Sequence, residues 1–263
     1  MIKLACATLS IEGFSETNYN KVFETAPEIG YEHIEFNCWY PSSLAPATIA
    51  NLKERCDAAN LSPMAIHLNG GLGGELYKDF CHKLWTMKAV KALGGKRIVT
   101  SGPNRGKDGG IDSVIASLKA LAPVAEELDV LICLENHFDN EIEFIEDYSR
   151  ILDAVPSPNV GICIDTGHFD ASGVDMNLLI DKFASRINHI HLKENAVFGK
   201  KTFCRFNEGT TDNHGIVKRM IDLGYSGYLT VELSPEIGET DGRPFTQADL
   251  ALPYNEFKVY ETK

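Results

Sequence analysis

Eight short runs of strand-forming residues recur along the chain, each separated from the next by a longer amphipathic stretch, and this alternation constrains the fold more than any single motif. The runs are "KLACATLS", "HIEFNC", "PMAIHLNG", "RIVTSG", "VLICLENH", "VGICIDTGH", "INHIHLKEN" and "GYLTVELSPE". Strands that alternate with helical crossovers build a parallel sheet. Between them, "FCHKLWTMKAVKALGG" places Leu84, Met87, Val90 and Leu93 at helical spacing ahead of a Gly94 stop, and "DNHGIVKRMIDLGYSG" offers Asp212 as cap and Gly224 as terminator. Eight such units favour an α/β fold closed into a (β/α)8 barrel over an open, doubly wound sheet.

Side-chain parity separates those two architectures. In a barrel, one face of each strand meets the helices and is branched and apolar, while the other points inward and turns from packing to function at its carboxyl end. Strand six sets Val160, Ile162 and Ile164 against Gly161, Cys163 and Asp165. Strand five sets Ile132 and Leu134 against Cys133 and Glu135, strand seven Ile190 and Leu192 against His189 and His191, and strand eight Leu229, Val231 and Leu233 against Tyr228, Thr230 and Glu232. Each inward set ends in an ionisable group.

No linker, low-complexity tract or charge block divides the 263 residues, so residues 1-263 are expected to form a single domain, a length that α/β barrels reach undivided. The tail "GRPFTQADLALPYNEFKVYETK" is the irregular part: Pro253 is expected to interrupt the eighth helix, leaving the tail to close the barrel irregularly or to serve a partner surface. With 37 acidic and 25 basic side chains the formal charge is -12, which disfavours nucleic acid and anionic membrane surfaces as partners. The seven cysteines form no CxxC pair and read as reduced core or pocket residues, and no run reaches membrane-spanning length, so a cytosolic (cytoplasmic) location is expected.

Collecting the last inward residue of strands five to eight gives Glu135, Asp165, His191 and Glu232. Taken singly, such residues usually form salt bridges or cap helices. Three carboxylates converging at one depth repel one another and would hold protons at neutral pH unless a cation lay between them. Three oxygens and one imidazole make a hard-to-borderline donor set that favours Mn2+, Mg2+ or Co2+, Mn2+ foremost, and permits Zn2+. His189 lies one inward layer below His191 and is expected to be a hydrogen-bonded core residue. His67, ending strand three on the inward face, is a candidate substrate contact, and Lys193 shares the parity of His191 and could hold an oxyanion or carboxylate. His137 faces away from Glu135 if strand five persists and reaches the pocket only if the loop turns there; a surface role is expected at least as much as a pocket one. "GGLGGEL" and "GPNRGKDGG" fail as phosphate loops, the second because Asp108 stands where Ser or Thr is needed; a flexible lid is expected after strand three instead, with Arg105 and Lys107 as possible contacts to a substrate phosphate.

The motifs "LENH", "DTGH", "HIHLKEN" and "VELSPE", in that order at the ends of strands five to eight, resemble the xylose isomerase-like TIM barrels, among them sugar epimerases, hydroxypyruvate isomerases and inosose dehydratases. The resemblance implies that Glu135, Asp165, His191 and Glu232 bind one divalent ion. By likeness to the ketose 3-epimerases it further implies substrate contacts for His168 and Glu141. The arginine those enzymes carry six residues beyond the strand-seven histidine is replaced by Val197, and Arg205 is the candidate substitute. His168 reads equally as a partner of Asp165.

The expected chemistry is an isomerase or epimerase acting on a keto-sugar or related polyol. Glu135 and Glu232 would remove and return a proton beside the carbonyl, through an enediolate that a neighbouring cation stabilises. A lyase on the same scaffold, such as a keto-inositol dehydratase or a 3-keto-glycoside-cleaving enzyme, begins with the same proton loss. A non-enzymatic sugar-binding or partner subunit, or a homo-oligomer, is compatible with the tail. The related endonuclease IV branch needs several metals and contact with DNA, against which the acidic balance argues.

Overall fold

Strand residues with branched outward faces pair in strict chain order until the first meets the last. The computed structural model describes residues 1–14, 19–107, 109–235, 243 and 246–261. The strands are β1 (Lys3–Ala7), β2 (His33–Cys38), β3 (Ser62–Leu68), β4 (Arg97–Thr100), β5 (Leu131–Glu135), β6 (Val160–Asp165), β7 (Ile187–Leu192), β8 (Glu194–Val197), β9 (Lys200–Cys204) and β10 (Tyr228–Val231). β1 to β7 and β10 form a closed barrel in which β10 pairs with both β7 and β1, and every pairing in it is parallel. This is the eight-stranded TIM barrel that the alternation predicts.

The helices are α1 (Leu9–Glu12), α2 (Asn20–Ile29), α3 (Pro46–Ala59), α4 (Leu76–Leu93), α5 (Gly110–Leu128), α6 (Ile145–Ala154), α7 (Thr166–Ala171), α8 (Met176–Phe183), α9 (Asn213–Asp222) and α10 (Gln247–Phe257). The apolar layer between helices and barrel holds Ile132, Leu134, Ile162, Ile164, Ile190, Leu192, Leu229 and Val231 together with Met87, Val90 and Leu93 of α4. Val99, Cys133 and Cys163 form a separate cluster, and so do Ala5, Met64 and Ala65. Two packed layers on opposite strand faces are what the parity of the strands requires. α4 stops at Gly94, whose φ is +96°, and the Asp212 side chain caps α9 by accepting from the Gly215 N–H.

Three features depart from the sequence reading. Pro253 does not interrupt the last helix; α10 runs through it. A capping box between Thr246 and Asp249 starts this helix, and burial of Leu250, Pro253 and Phe257 offsets the lost backbone bond. "HIHLKEN" is not one strand: it breaks at Lys193, after which β8 and β9 form an antiparallel hairpin that brings Phe203 to the barrel mouth. The segment after β3 is tethered rather than free, because the buried Lys83 ammonium donates to the carbonyls of Gly70 (2.8 Å) and Gly71 (3.0 Å) and Asp79 accepts from the Gly73 N–H (2.7 Å). Gly71 is required there, since a Cβ would stand 2.1 Å from the Gly102 carbonyl oxygen. Asp108 and Glu236 lie outside the described residues. Among the described residues no helix is long and apolar enough to cross a membrane.

Candidate metal centre and cavity

Glu135 and Asp165 are the last residues of β5 and β6, His191 is the fifth residue of β7, and Glu232 directly follows β10. Parallel register sets Asp165 and Thr230 opposite His191 on either side, so the four side chains meet at one depth. One donor atom from each lies within 4.8 Å of the others, and all four residues are buried. His191 Nδ1 stands 2.7 Å from Glu135 Oε1, 3.1 Å from Glu232 Oε2 and 4.0 Å from Asp165 Oδ2. Above them opens a cavity of about 510 Å³, bounded by the segments that follow the strand ends; Glu135 and Glu232 line it, with Asp165 and His191 beneath.

The protein partly compensates the acids itself. Lys193 Nζ bridges Asp165 Oδ2 and Glu232 Oε1, each at 2.8 Å, and His67 Nε2 lies 3.2 Å from Glu135 Oε2. Burial alone would raise every carboxylate. Asp165 is indeed raised, the pull of Lys193 notwithstanding, whereas His67 and His191 hold Glu135 down and Lys193 and His191 hold Glu232 down. Burial would lower His67, yet Glu135 and Glu232 push it up to about 10. Even so, Glu135 Oε2, Glu232 Oε2 and Asp165 Oδ2 are buried without an aligned hydrogen-bond donor. Three converging oxygens of this kind beside an imidazole nitrogen fit one divalent cation.

The "DTGH" turn explains why an apolar strand ends in an acid, a glycine and an imidazole. Asp165 caps α7 by accepting from the His168 backbone N–H (2.8 Å), and Asn136 holds the Asp165 backbone through both its N–H (2.8 Å) and its carbonyl (3.0 Å). At Gly167 a Cβ would stand 2.6 Å from Lys193 Cγ, so only glycine lets the lysine stem pass to its acids. The His168 ring lines the cavity and accepts the Phe138 N–H at Nδ1 (3.1 Å), which assigns its proton to Nε2. Burial and then the neighbouring His137 hold it neutral, and the two rings lie 3.7 Å apart.

Not every candidate reaches the cavity. Glu141 Oε1 accepts the Gly106 N–H (2.5 Å) and stays out of the wall, because Asn140 is locked to both the N–H and the carbonyl of Gly102 and turns the next residue toward the loop. Arg205 is held by Asp249 (3.0 Å) and the Arg243 carbonyl (2.7 Å), away from the cluster. Arg105 pairs with Glu143 and Asp147, whereas Lys107 lines the cavity. His137 takes the pocket position, the one open to it only through a turn: β5 ends at Glu135, and the turn brings the ring into the wall. Residues outside the sequence reading also contribute. Glu35 lies beneath the cluster, 2.9 Å from the His189 ring, which is thereby a hydrogen-bonded core residue. Asn37 Nδ2 lies 3.2 Å from His67 Nδ1, and Phe14 and Trp39 complete the apolar wall. Glu35 and Asn37 sit on the inward parity of "HIEFNC", a signal available in the sequence.

Comparison with known proteins agrees with this architecture. An inosose dehydratase of Yersinia enterocolitica is 29% identical over 153 residues, 51% of this chain and 50% of that protein. The chain spans about half the length of the first curated relatives it matches. Among solved structures, the IolI protein with a bound zinc atom superimposes with a TM-score of 0.75 at 20% identity, covering 98% of this chain and 97% of that one. An L-ribulose 3-epimerase superimposes at 0.77 and 19% identity, covering 99% and 94%. Likeness at that identity establishes the fold. The family model described as "Xylose isomerase-like TIM barrel" matches residues 23–249, and the chain belongs to that family.

Proposed function

We propose that the chain is a divalent-metal-dependent isomerase or epimerase that removes a proton beside the carbonyl of a keto-sugar or close relative. One observation carries this reading: of four clustered groups, only Glu135 and Glu232 face the cavity, and each has a carboxylate oxygen without an aligned donor. Glu135, Asp165, His191 and Glu232 would hold the ion. When bound, it supplies positive charge that favours loss of a proton next to a carbonyl. Glu135, kept ionised by the imidazoles around it, takes that proton; Glu232, which follows the strand on the other side of β7 and is itself held ionised, takes a proton from Lys193 Nζ, 2.8 Å from its Oε1, and returns it to the opposite face. Return to the same carbon inverts it, and return to its neighbour interconverts ketose and aldose. Neutral His168 offers Nε2–H to a hydroxyl, Lys193 keeps Asp165 and Glu232 in register, and Leu9, Phe14, Trp39, Leu72 and Phe203 exclude water from the reacting carbon.

A second reading, a lyase, is favoured by the inosose dehydratases among the relatives, since elimination of water also starts with proton loss beside a carbonyl. Incubation of Mn2+-loaded protein in D2O with a panel of ketoses and keto-inositols, followed by NMR, tests both. Deuterium at C3 is expected for an epimerase, at C1 or C2 for an aldose-forming isomerase, and loss of a hydroxyl for the lyase. Glu135→Gln and Glu232→Gln should each abolish the exchange. Wild-type protein that exchanges no member of the panel overturns the proposal.

A further inference from the structure

The floor of the centre rests on an acid with no role so far. Glu35 is 0% exposed, and its nearest polar neighbours are imidazoles: His189 Nε2 at 2.9 Å, His191 Nε2 at 3.0 Å and His67 Nδ1 at 3.9 Å. A register shift between Ile34 and Glu35 re-aims this part of β2, and the residues opposite Glu35 on the two flanking strands are Ala7 and Ala65, small enough to leave the carboxylate room. Glu35 Oε1 and His191 Nε2 face each other off the ideal line; Cys163 is a further polar neighbour of the ring, and the ring's aligned hydrogen bond is the one between Nδ1 and Glu135 Oε1 (2.7 Å), the edge that a bound ion would take over. On the opposite edge of the same ring, Nδ1 faces the three acids.

We propose that Glu35 is the positioning residue of the metal centre: it keeps the His191 ring proton on Nε2 and so leaves the Nδ1 lone pair for the ion. This rests on the metal-centre reading above. An imidazole can give one nitrogen to a metal only when its proton sits on the other, and a carboxylate behind the ring both selects that tautomer and raises the basicity of the donor. His189, held by Glu35 Oε2 and 3.2 Å from Thr230 Oγ1, anchors the carboxylate from the layer below. A purely structural role, in which Glu35 only satisfies buried His189, predicts neither the tautomer nor the affinity.

Two measurements separate these roles. Calorimetric titration with Mn2+ should show Glu35→Gln binding about 10- to 100-fold more weakly than wild type, the usual effect of losing such a partner. His189→Gln keeps a donor to Glu35 and should retain wild-type affinity. Melting of both metal-free variants checks that they are folded. Long-range 1H–15N spectra of the Zn2+-loaded wild type need no variant, and they should place the His191 proton on Nε2 and the metal on Nδ1. Equal Mn2+ affinity in Glu35→Gln overturns the proposal. So does coordination through Nε2, the outcome expected if an ion sat lower, in the alternative group of Glu35, His67, His191 and Glu232. Wild-type protein that takes up no Mn2+ overturns the metal-centre reading itself, and this one with it.

Discussion

Lys83→Met tests how the cavity wall is held. Lys83 is 1% exposed on α4 and ties down the segment that contributes Gly70, Gly71 and Leu72 to the cavity. Its ammonium donates to two carbonyls at 2.8 and 3.0 Å and stands 3.5 Å from Asp79 Oδ1. Asp79 in turn accepts from the Gly73 N–H and the Ser117 hydroxyl, both at 2.7 Å. Methionine keeps most of the stem volume and removes the charge. A hydrogen bond to a charged group contributes about 1.5–3 kcal/mol, and breaking one side of a buried ion pair costs about 3–5 kcal/mol. These contributions overlap, the pair is long, and exposed Gly70 lets water replace one lost bond, so the lower end applies: about 3 kcal/mol. With unfolding entropy near 2.1 cal/mol/K per residue, 263 residues give roughly 0.55 kcal/mol/K, and Tm should fall by about 5 °C. Urea unfolding reads the free energy, and hydrogen exchange in residues 69–75 should accelerate more than in the barrel strands. A loss below about 1 kcal/mol with unchanged exchange would refute the tether, because no charge-assisted bond could then have been broken.

Mn2+ at about 100 times its Kd should stabilise the protein by about 2.7 kcal/mol and raise Tm by about 5 °C, an effect that chelation reverses and that Asp165→Asn or Glu232→Gln removes. A melting curve unmoved by millimolar Mn2+ would contradict the centre. His82 provides a pH test remote from it. Burial, then Lys83, lower its pKa from 6.5 to about 4 against the weaker pull of Asp79. Between those values the unfolded chain binds a proton that the folded chain refuses, so the contribution is complete above pH 6.5 and is lost as pH falls toward 4. After allowance for partial exposure this amounts to roughly 2 kcal/mol, and His82→Gln should flatten the stability curve between pH 7 and pH 4.5 by that amount. Parallel curves for the two proteins would show that His82 titrates alike in both states.

Parity made the barrel and the floor of its mouth legible, because in a closed sheet the side-chain direction of each strand residue follows from counting alone. Glu135, Asp165 and His191 all lie within strands, and Glu232 immediately follows one. Glu35 obeys the same rule on β2, but strand two ends in Asn37 and Cys38, so the acid sits a layer below the strand-end position that marks the other four. Glu141 and Arg205 lie beyond strand ends, where direction depends on partners distant in sequence: Asn140 locked to Gly102 in the one case, Asp249 in the other. His137 moved the opposite way for the same reason, since a strand that stops two residues earlier reverses the face to which its successor points. The tethered segment after β3 illustrates the remaining limit. Its glycines advertise freedom, yet whether a glycine loop moves is decided by what reaches it, and Lys83 does so from the middle of a helix. Where direction is local, residues announce their role; where it is set by a contact across the fold, only the folded chain reveals it.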